Sequence, residues 1–158
     1  MKDIKLLECT LRDGTYVLDF MIEPETFYRY TSLLMSLGYE HIEVGHGLGL
    51  GAHRRYSAGF TDEILWKKLE PLTEKAKLYS FFIPYVGNEA DIDIGVSHGL
   101  YGLRIGMEPP FVPQYRHFLE YAKKKGLFVS LNLMKSYTVT PQGLAKTIAT
   151  VKDMVDVT

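Results

Sequence analysis

The sequence has one cysteine, little net charge and no long apolar run, and each shortage excludes a class of protein. Cys9 alone cannot form an intrachain disulfide framework. A lack of disulfides is typical of proteins in the reducing cytoplasm. A formal net charge of -1 at pH 7 gives no electrostatic case for nucleic acid or an anionic membrane. No apolar run approaches the roughly 20 residues of a membrane span, and the first residues lack the apolar core of a signal peptide. We therefore expect a cytoplasmic protein with neither nucleic acid nor a membrane as its partner.

Apolar strand patterns alternate with amphipathic helix patterns along all 158 residues. The strand-like segments span residues 4–7, 41–46, 77–84, 101–106 and 127–134, and the helix-like segments span residues 23–37, 64–75, 88–97, 115–125 and 144–154. Strict alternation without hairpin signals predicts an α/β protein in which helices cover a parallel sheet. An open doubly wound sheet and a (β/α) barrel both fit this pattern. Residues 155–158 resemble the start of a sixth strand, so we expect part of a longer (β/α) repeat.

The first strand runs directly into Arg12 and Asp13, which are followed by Gly14. A strand that delivers a cation and a carboxylate to its carboxyl end is how α/β enzymes present a site. Glycine at the next position would let the backbone turn sharply. The simpler alternative is an Asp-Gly turn beside a solvated arginine.

Two segments resemble one family of enzymes. Residues 10–14 read T-L-R-D-G after an apolar strand, and residues 42–50 read I-E-V-G-H-G-L-G-L. Together they resemble the pyruvate-utilising aldolase and acyltransferase superfamily of metal-dependent TIM barrels, which includes HMG-CoA lyase, and in particular its 4-hydroxy-2-oxovalerate aldolases. The resemblance covers the whole chain. It implies that residues 1–158 form a single, incomplete (β/α)8 domain with about five β/α units and the start of strand six.

The resemblance also implies a reaction. Asp13 would match the family's metal-ligand aspartate, and Mn2+ or Mg2+ suits its hard carboxylate oxygens. Arg12 would match the arginine that binds the substrate and stabilises the enolate of pyruvate. The implied activity is metal-dependent cleavage of a 4-hydroxy-2-oxo acid into pyruvate and an aldehyde, with this chain as the N-terminal part of the catalytic barrel.

Two departures from the family pattern affect this expectation. Tyr16 takes the catalytic position of the family's base histidine, and tyrosine is a weaker base with a reference pKa of about 10. The family's H-x-H metal ligands are also missing, because the histidines stand singly at His41, His46, His53, His98 and His117. One carboxylate cannot hold a divalent metal with useful affinity. The chain therefore resembles an incomplete catalytic site.

Three further residues are candidates for the site. His46 follows strand two and would serve either as a catalytic group facing the substrate or as a structural residue. Glu43, a candidate for substrate binding, would need Arg12 or Arg104 as a partner if it faces inward. Asn132, at the end of strand five, is a candidate for a substrate hydrogen bond.

Two other functions fit parts of the sequence. The unpaired edges of five parallel strands suggest a non-catalytic half-barrel that works by self-association or by pairing with a companion chain. The alternating glycines at positions 45, 47, 49 and 51 suggest a phosphate-binding module, although they do not open a helix. A rim loop that covers the site is the expectation for this glycine-rich segment. A homo-oligomer or a companion chain is the expected macromolecular partner.

Overall fold

The structure, a computed structural model, describes residues 4–158. In this range the strands are β1 (Leu7–Glu8), β2 (His41–Glu43), β3 (Lys77–Phe82), β4 (Gly102–Met107) and β5 (Phe128–Leu133). The helices are α1 (Thr10–Asp13), α2 (Pro24–Ser36), α3 (Asp62–Thr73), α4 (Glu89–Ser97), α5 (Val112–Tyr115), α6 (His117–Lys124) and α7 (Pro141–Ala149). Short 3-10 segments span Gly14–Leu18, Ala52–Arg54, Pro109–Phe111, Ser136–Thr138 and Lys152–Met154.

The strands form one parallel sheet in sequence order, β1-β2-β3-β4-β5. Each crossover between neighbouring strands carries at least one helix, so the sheet curls into a partial (β/α) barrel with helices on its outer face. The α/β prediction is confirmed, and of the two architectures the barrel is correct. The expected sixth strand appears only as an isolated parallel bridge between Ser130 and Val157.

The helices begin where polar side chains can bind their first amide groups. The hydroxyl of Thr61 accepts a hydrogen bond from the Ile64 N–H and caps α3. Asn88 and Asp91 form a reciprocal capping box at the start of α4. Pro24 occupies the first turn of α2, where its missing N–H costs nothing. These caps explain why the predicted helix starts agree closely with the structure.

Strand register decides which side chains face the inside of the barrel. Neighbouring residues in register lie on the same face of a sheet, and successive residues alternate between faces. The outer face carries fully buried side chains that pack with Trp66 and Leu69 of α3, among them Ile42, Leu78, Leu103 and Ile105. The inner face carries the alternate residues. Phe81 pairs with Arg104 in register on that face.

The opening stretch differs from its prediction. The first strand is only two residues long, because β1 lies at the sheet edge and pairs with β2 alone. The segment after it is helical rather than a sharp turn, and the Asp13 N–H donates to the Cys9 carbonyl at 2.9 Å. Gly14 has φ of −63°, which any residue can adopt. The expected sharp turn at Gly14 is therefore wrong.

Two glycine-to-alanine substitutions should separate a required glycine from a dispensable one. Gly49 has φ of +89°, and an added Cβ would lie 2.7 Å from the carbonyl carbon of Phe81. We expect Gly49→Ala to destabilise the protein by about 3 kcal/mol, combining left-handed strain with a backbone clash. Gly14→Ala meets nothing within 4 Å and should be neutral or stabilising by up to about 1 kcal/mol. Urea unfolding measures the free energy of unfolding of both variants. Equal changes would contradict the conclusion that Gly49 is required and Gly14 is dispensable.

Candidate functional site

Arg12 lies at the carboxyl edge of the sheet, on the short helix α1 that follows β1. The residue is buried, with 8% relative exposure. Its Nε donates to Oε1 of Glu43 at 2.7 Å, and its Nη1 donates to Oδ1 of Asp13 at 2.7 Å. The guanidinium therefore links a carboxylate inside the barrel with a carboxylate at the rim.

Glu43 is the fully buried carboxylate at the centre of the site. Arg104 binds it as a fork, with Nε 2.6 Å from Oε2 and Nη2 2.8 Å from Oε1. The prediction that an inward-facing Glu43 needs Arg12 or Arg104 is confirmed, and both supply donors. Burial alone would lower the pKa of Arg104, but the hydrogen bonds and the charge of Glu43 outweigh burial and raise it. Since guanidinium donors occupy both oxygens, Glu43 is placed to hold the arginines rather than to contact a ligand.

Phe81 forms a platform for both guanidiniums. The Cζ atom of Arg12 lies 5.0 Å from the ring centroid, and that of Arg104 lies 4.8 Å from it. A guanidinium over an aromatic face is attracted by the ring quadrupole. Gly106 makes room for this ring, because a Cβ at that position would lie 2.5 Å from Cζ of Phe81. Sequence reasoning missed this role, because it depends on the register of β3 against β4.

Asp13 is the exposed member of the site, with 69% of its side chain accessible. One of its oxygens accepts the hydrogen bond from Arg12, and the carboxylate otherwise faces the rim. A hard oxygen in this position fits one ligand of a divalent cation. In residues 4–158, no group of three or more His, Cys, Asp and Glu side chains could hold a metal ion. The described residues therefore provide one candidate ligand and not a complete ligand set.

Tyr16 extends from the 3-10 segment after α1 and remains partly exposed. Its hydroxyl donates to the carbonyl of Gly47 at 3.1 Å. Burial, together with the negative charge of Asp13, raises the pKa of Tyr16 and outweighs the opposing effect of Arg12. A hydroxyl whose proton is held by a carbonyl and whose pKa is raised is poorly suited to act as a base near pH 7.

Comparison with known proteins identifies relatives over most of the chain. A 4-hydroxy-2-oxovalerate aldolase from Pelotomaculum thermopropionicum is 31% identical over 146 residues, which is 91% of this chain and 43% of the relative. An oxaloacetate decarboxylase from Mycobacterium tuberculosis is 30% identical over 141 residues, covering 89% of this chain and 42% of the relative. The chain resembles the N-terminal part of a 4-hydroxy-2-oxovalerate aldolase. It spans less than half the length of the curated relatives that it matches.

Other comparisons agree on this aldolase-like fold. A second 4-hydroxy-2-oxovalerate aldolase, from Carboxydothermus hydrogenoformans, is 28% identical over 92% of this chain and 44% of the relative. The crystal structure of the N-terminal domain of a Bacteroides vulgatus protein assigned as an aldolase superposes with a TM-score of 0.73. That match covers 97% of this chain and 52% of the other at 20% identity, so it supports the fold alone. No family model matches the sequence.

His46 of the aldolase-like chain is buried and uses both ring nitrogens. Nε2 lies 3.0 Å from the carbonyl of Ser57, and Nδ1 accepts a hydrogen bond from the Leu48 N–H at 3.0 Å. These partners define a neutral ring with its proton on Nε2. Burial lowers the pKa of His46 and so favours the same neutral form. The ring also stacks on Phe20 at 4.1 Å, so the geometry supports the structural alternative for His46 rather than the catalytic one.

The glycine-rich segment of the aldolase-like chain is packed against the sheet. The Gly49 N–H donates to the His46 carbonyl at 2.8 Å, and the Gly51 N–H donates to Oδ2 of Asp62 at 2.6 Å. Arg54 pairs with the buried carboxylate of Asp91 on α4, Nη2 lying 2.7 Å from Oδ2. With these two amides already bonded and two carboxylates nearby, the segment does not suit phosphate. Its buried glycines also differ from the loosely held rim loop that the sequence suggested.

Two remaining residues to consider are Asn132, a candidate for substrate binding, and Cys9. Asn132 pairs in register with Gly106. This pair lies two residues nearer the carboxyl edge than the pair of Arg104 and Ser130. It therefore shares the inner face with Arg104 and lies toward the rim. Cys9 is half-buried, and burial raises the pKa of its thiol to about 11, which disfavours the reactive thiolate.

Proposed function

We propose that this chain forms the N-terminal part of the catalytic barrel of a metal-dependent carbon–carbon lyase, which cleaves a 4-hydroxy-2-oxo acid into pyruvate and an aldehyde. The observation that carries the proposal is the buried guanidinium of Arg12, held between Glu43 and the exposed carboxylate of Asp13 at the barrel rim. Catalytic residues of (β/α) barrels occupy this rim. The named relatives are enzymes, so the non-catalytic half-barrel is not favoured.

In this proposal Arg12 stabilises the charge that develops during cleavage. The 4-hydroxyl gives its proton to water and its O–H electrons form the aldehyde C=O, while the C3–C4 bond breaks and its electron pair becomes the enolate of pyruvate, which is then protonated at C3. A fixed guanidinium beside the enolate oxygen lowers the energy of that anion without reorganising. Asp13 would supply one ligand to Mn2+ or Mg2+, and the bound ion would polarise the 2-oxo group as a Lewis acid. Asn132, which shares the inner face of the sheet with Arg104, would form a hydrogen bond to the substrate.

Decarboxylation is a second candidate reaction, because Tyr16 is poorly placed to be a base. Loss of CO2 from a 3-carboxylated 2-oxo acid gives the same enolate without removing a hydroxyl proton. One relative is an oxaloacetate decarboxylase. The proposal places either reaction in the cytoplasm, on the basis of the single cysteine, and includes a homo-oligomer or a companion chain as partner.

Product analysis tests the proposed function. The chain would be expressed within the longest polypeptide of its reading frame and incubated with 4-hydroxy-2-oxovalerate or oxaloacetate, with Mn2+ or with a chelator. We expect pyruvate from at least one substrate and its loss with the chelator. Acetaldehyde beside pyruvate identifies aldol cleavage, whereas CO2 identifies decarboxylation. Absence of pyruvate from both substrates would contradict the proposal.

Substitutions of Tyr16 separate the two reactions. We expect Tyr16→Phe to change the rate by less than about tenfold, because it removes one hydrogen bond to a carbonyl, worth about 1 kcal/mol. Tyr16→His introduces a group with a reference pKa of about 6.5, which can accept a hydroxyl proton near pH 7. The ratio of aldol cleavage to decarboxylation should therefore rise in Tyr16→His. A loss of about 10³-fold in Tyr16→Phe would instead assign proton transfer to the tyrosine.

A further inference from the structure

Arg104 has no role in the steps described above, although it is part of the same buried cluster. It lies on β4 in register with Phe81, and 19% of its side chain is exposed. It donates through Nε and Nη2 to the two oxygens of Glu43. Nε and Nη2 of Arg104 are therefore directed to the Glu43 carboxylate and not to the rim.

Arg12 contacts the same carboxylate differently. It reaches Oε1 of Glu43 through Nε alone, and its outer Nη1 donates to Asp13 at the rim and lies 3.5 Å from the Gly47 carbonyl. A guanidinium that faced Glu43 as a fork would turn these outer nitrogens inward. The two-point contact made by Arg104 occupies the acceptors that such a fork would need.

The charges of the cluster lead to the same conclusion. The three buried side chains, two arginines and one glutamate, carry a formal charge of +1, and the exposed carboxylate of Asp13 balances this charge from the rim. Without Arg104, the remaining pair would be neutral, and the attraction for an anion at Arg12 would fall. Arg104 therefore gives the buried part of the cluster its positive charge, which supports an anion beside Arg12.

We propose that Arg104 is a positioning residue, which occupies Glu43 so that the outer edge of Arg12 stays turned to the rim, where an anionic, enolate-like ligand would bind. This inference rests on the proposed function, because it takes the ligand at Arg12 to be such an anion. Arg104 acts through Glu43 and not by touching the ligand. Removing the glutamate charge should therefore compensate for removing Arg104.

A double-variant experiment tests this coupling. Oxalate, a planar dianion with the shape of an enolate, is titrated calorimetrically into the longest polypeptide of the reading frame. We expect Arg104→Met to weaken oxalate binding by about 10- to 100-fold, the range for a lost charged interaction. The double variant Glu43→Gln/Arg104→Met should bind within about tenfold of the wild type, because the buried side chains again carry a formal charge of +1. Arg104→Lys should give a smaller loss, since it keeps the charge without the fork.

Matched controls separate positioning from structural support. Arg116→Met removes an arginine whose partner is Glu120 on the surface of α6, and it should leave oxalate binding unchanged. If Arg104→Met does not fold, the double variant decides alone. Oxalate binding by the double variant that is no better than by Arg104→Met, or more than about 100-fold below wild type, overturns the inference.

The outcomes also distinguish this inference from the proposed function. Wild-type protein that binds oxalate but releases no pyruvate contradicts the lyase assignment, while the double variant still decides the role of Arg104. Wild-type protein that does not bind oxalate overturns the inference, since it requires an anion to bind beside Arg12. In an active protein, the expected loss for Arg104→Met appears mainly in kcat/KM, and Glu43→Gln/Arg104→Met recovers part of it.

Discussion

Replacing Arg12 with methionine should lower kcat/KM for pyruvate release by about 10²- to 10³-fold, the range found when one oxyanion donor is removed. The guanidinium is buried, carries a full charge and is fixed by Glu43, Asp13 and the ring of Phe81. Preorganised donors of this kind need no rearrangement as the enolate forms. Methionine keeps an unbranched apolar stem but loses every donor. Steady-state kinetics on the longest polypeptide of the reading frame measures the effect.

Two further variants make the result for Arg12 specific. Arg12→Lys should recover part of the rate, because an ammonium keeps the charge but cannot donate from Nε and Nη1 positions together. Arg29→Met serves as the control, since Arg29 forms only an exposed pair with Glu25 on α2. Equal values of kcat/KM for Arg12→Met and Arg29→Met would show that Arg12 does not stabilise the enolate. Thermal unfolding of each variant separates lost stabilisation of the enolate from lost folding.

Most of the fold could be predicted because its determinants are local. Helix starts follow from capping residues such as Thr61 and Asn88, whose side chains bind amides two or three residues away. Strands follow from short apolar runs between these helices. The region after β1 was mispredicted because an edge strand has one neighbour and its length depends on pairing. Neither local pattern nor the motif shows that the chain turns helical at Thr10.

The site was predictable only where burial dictates chemistry. A carboxylate facing inward must find a cation, so the pairing of Glu43 followed from electrostatics. That both Arg12 and Arg104 take part depends on the tertiary fold. Arg12 lies 31 positions before Glu43 in the chain, and Arg104 lies 61 positions after it. The platform under them, Phe81, depends on the same register. The acceptor of the Tyr16 hydroxyl is a loop carbonyl, and no side-chain pattern marks such a partner.

Replacing Glu43 with alanine should destabilise the fold by about 3–5 kcal/mol and abolish activity, the largest stability effect we expect for one residue of the site. The reason is the two guanidiniums that it leaves without their buried partner. Arg12 and Arg104 are 10% and 19% exposed at the side chain, so water cannot replace the three hydrogen bonds that Glu43 accepts. Both would also repel each other over the ring of Phe81.

Urea unfolding of the Glu43→Ala variant measures this cost, and Glu25→Ala provides the matched control. Glu25 pairs with Arg29 and Lys68 on the surface, where an ion pair contributes up to about 1 kcal/mol. The removed chemical group is the same in both variants, and only its burial differs. A loss below about 1 kcal/mol for Glu43→Ala would mean that the arginines rearrange to reach water. The cluster would then be too loosely held to position Arg12.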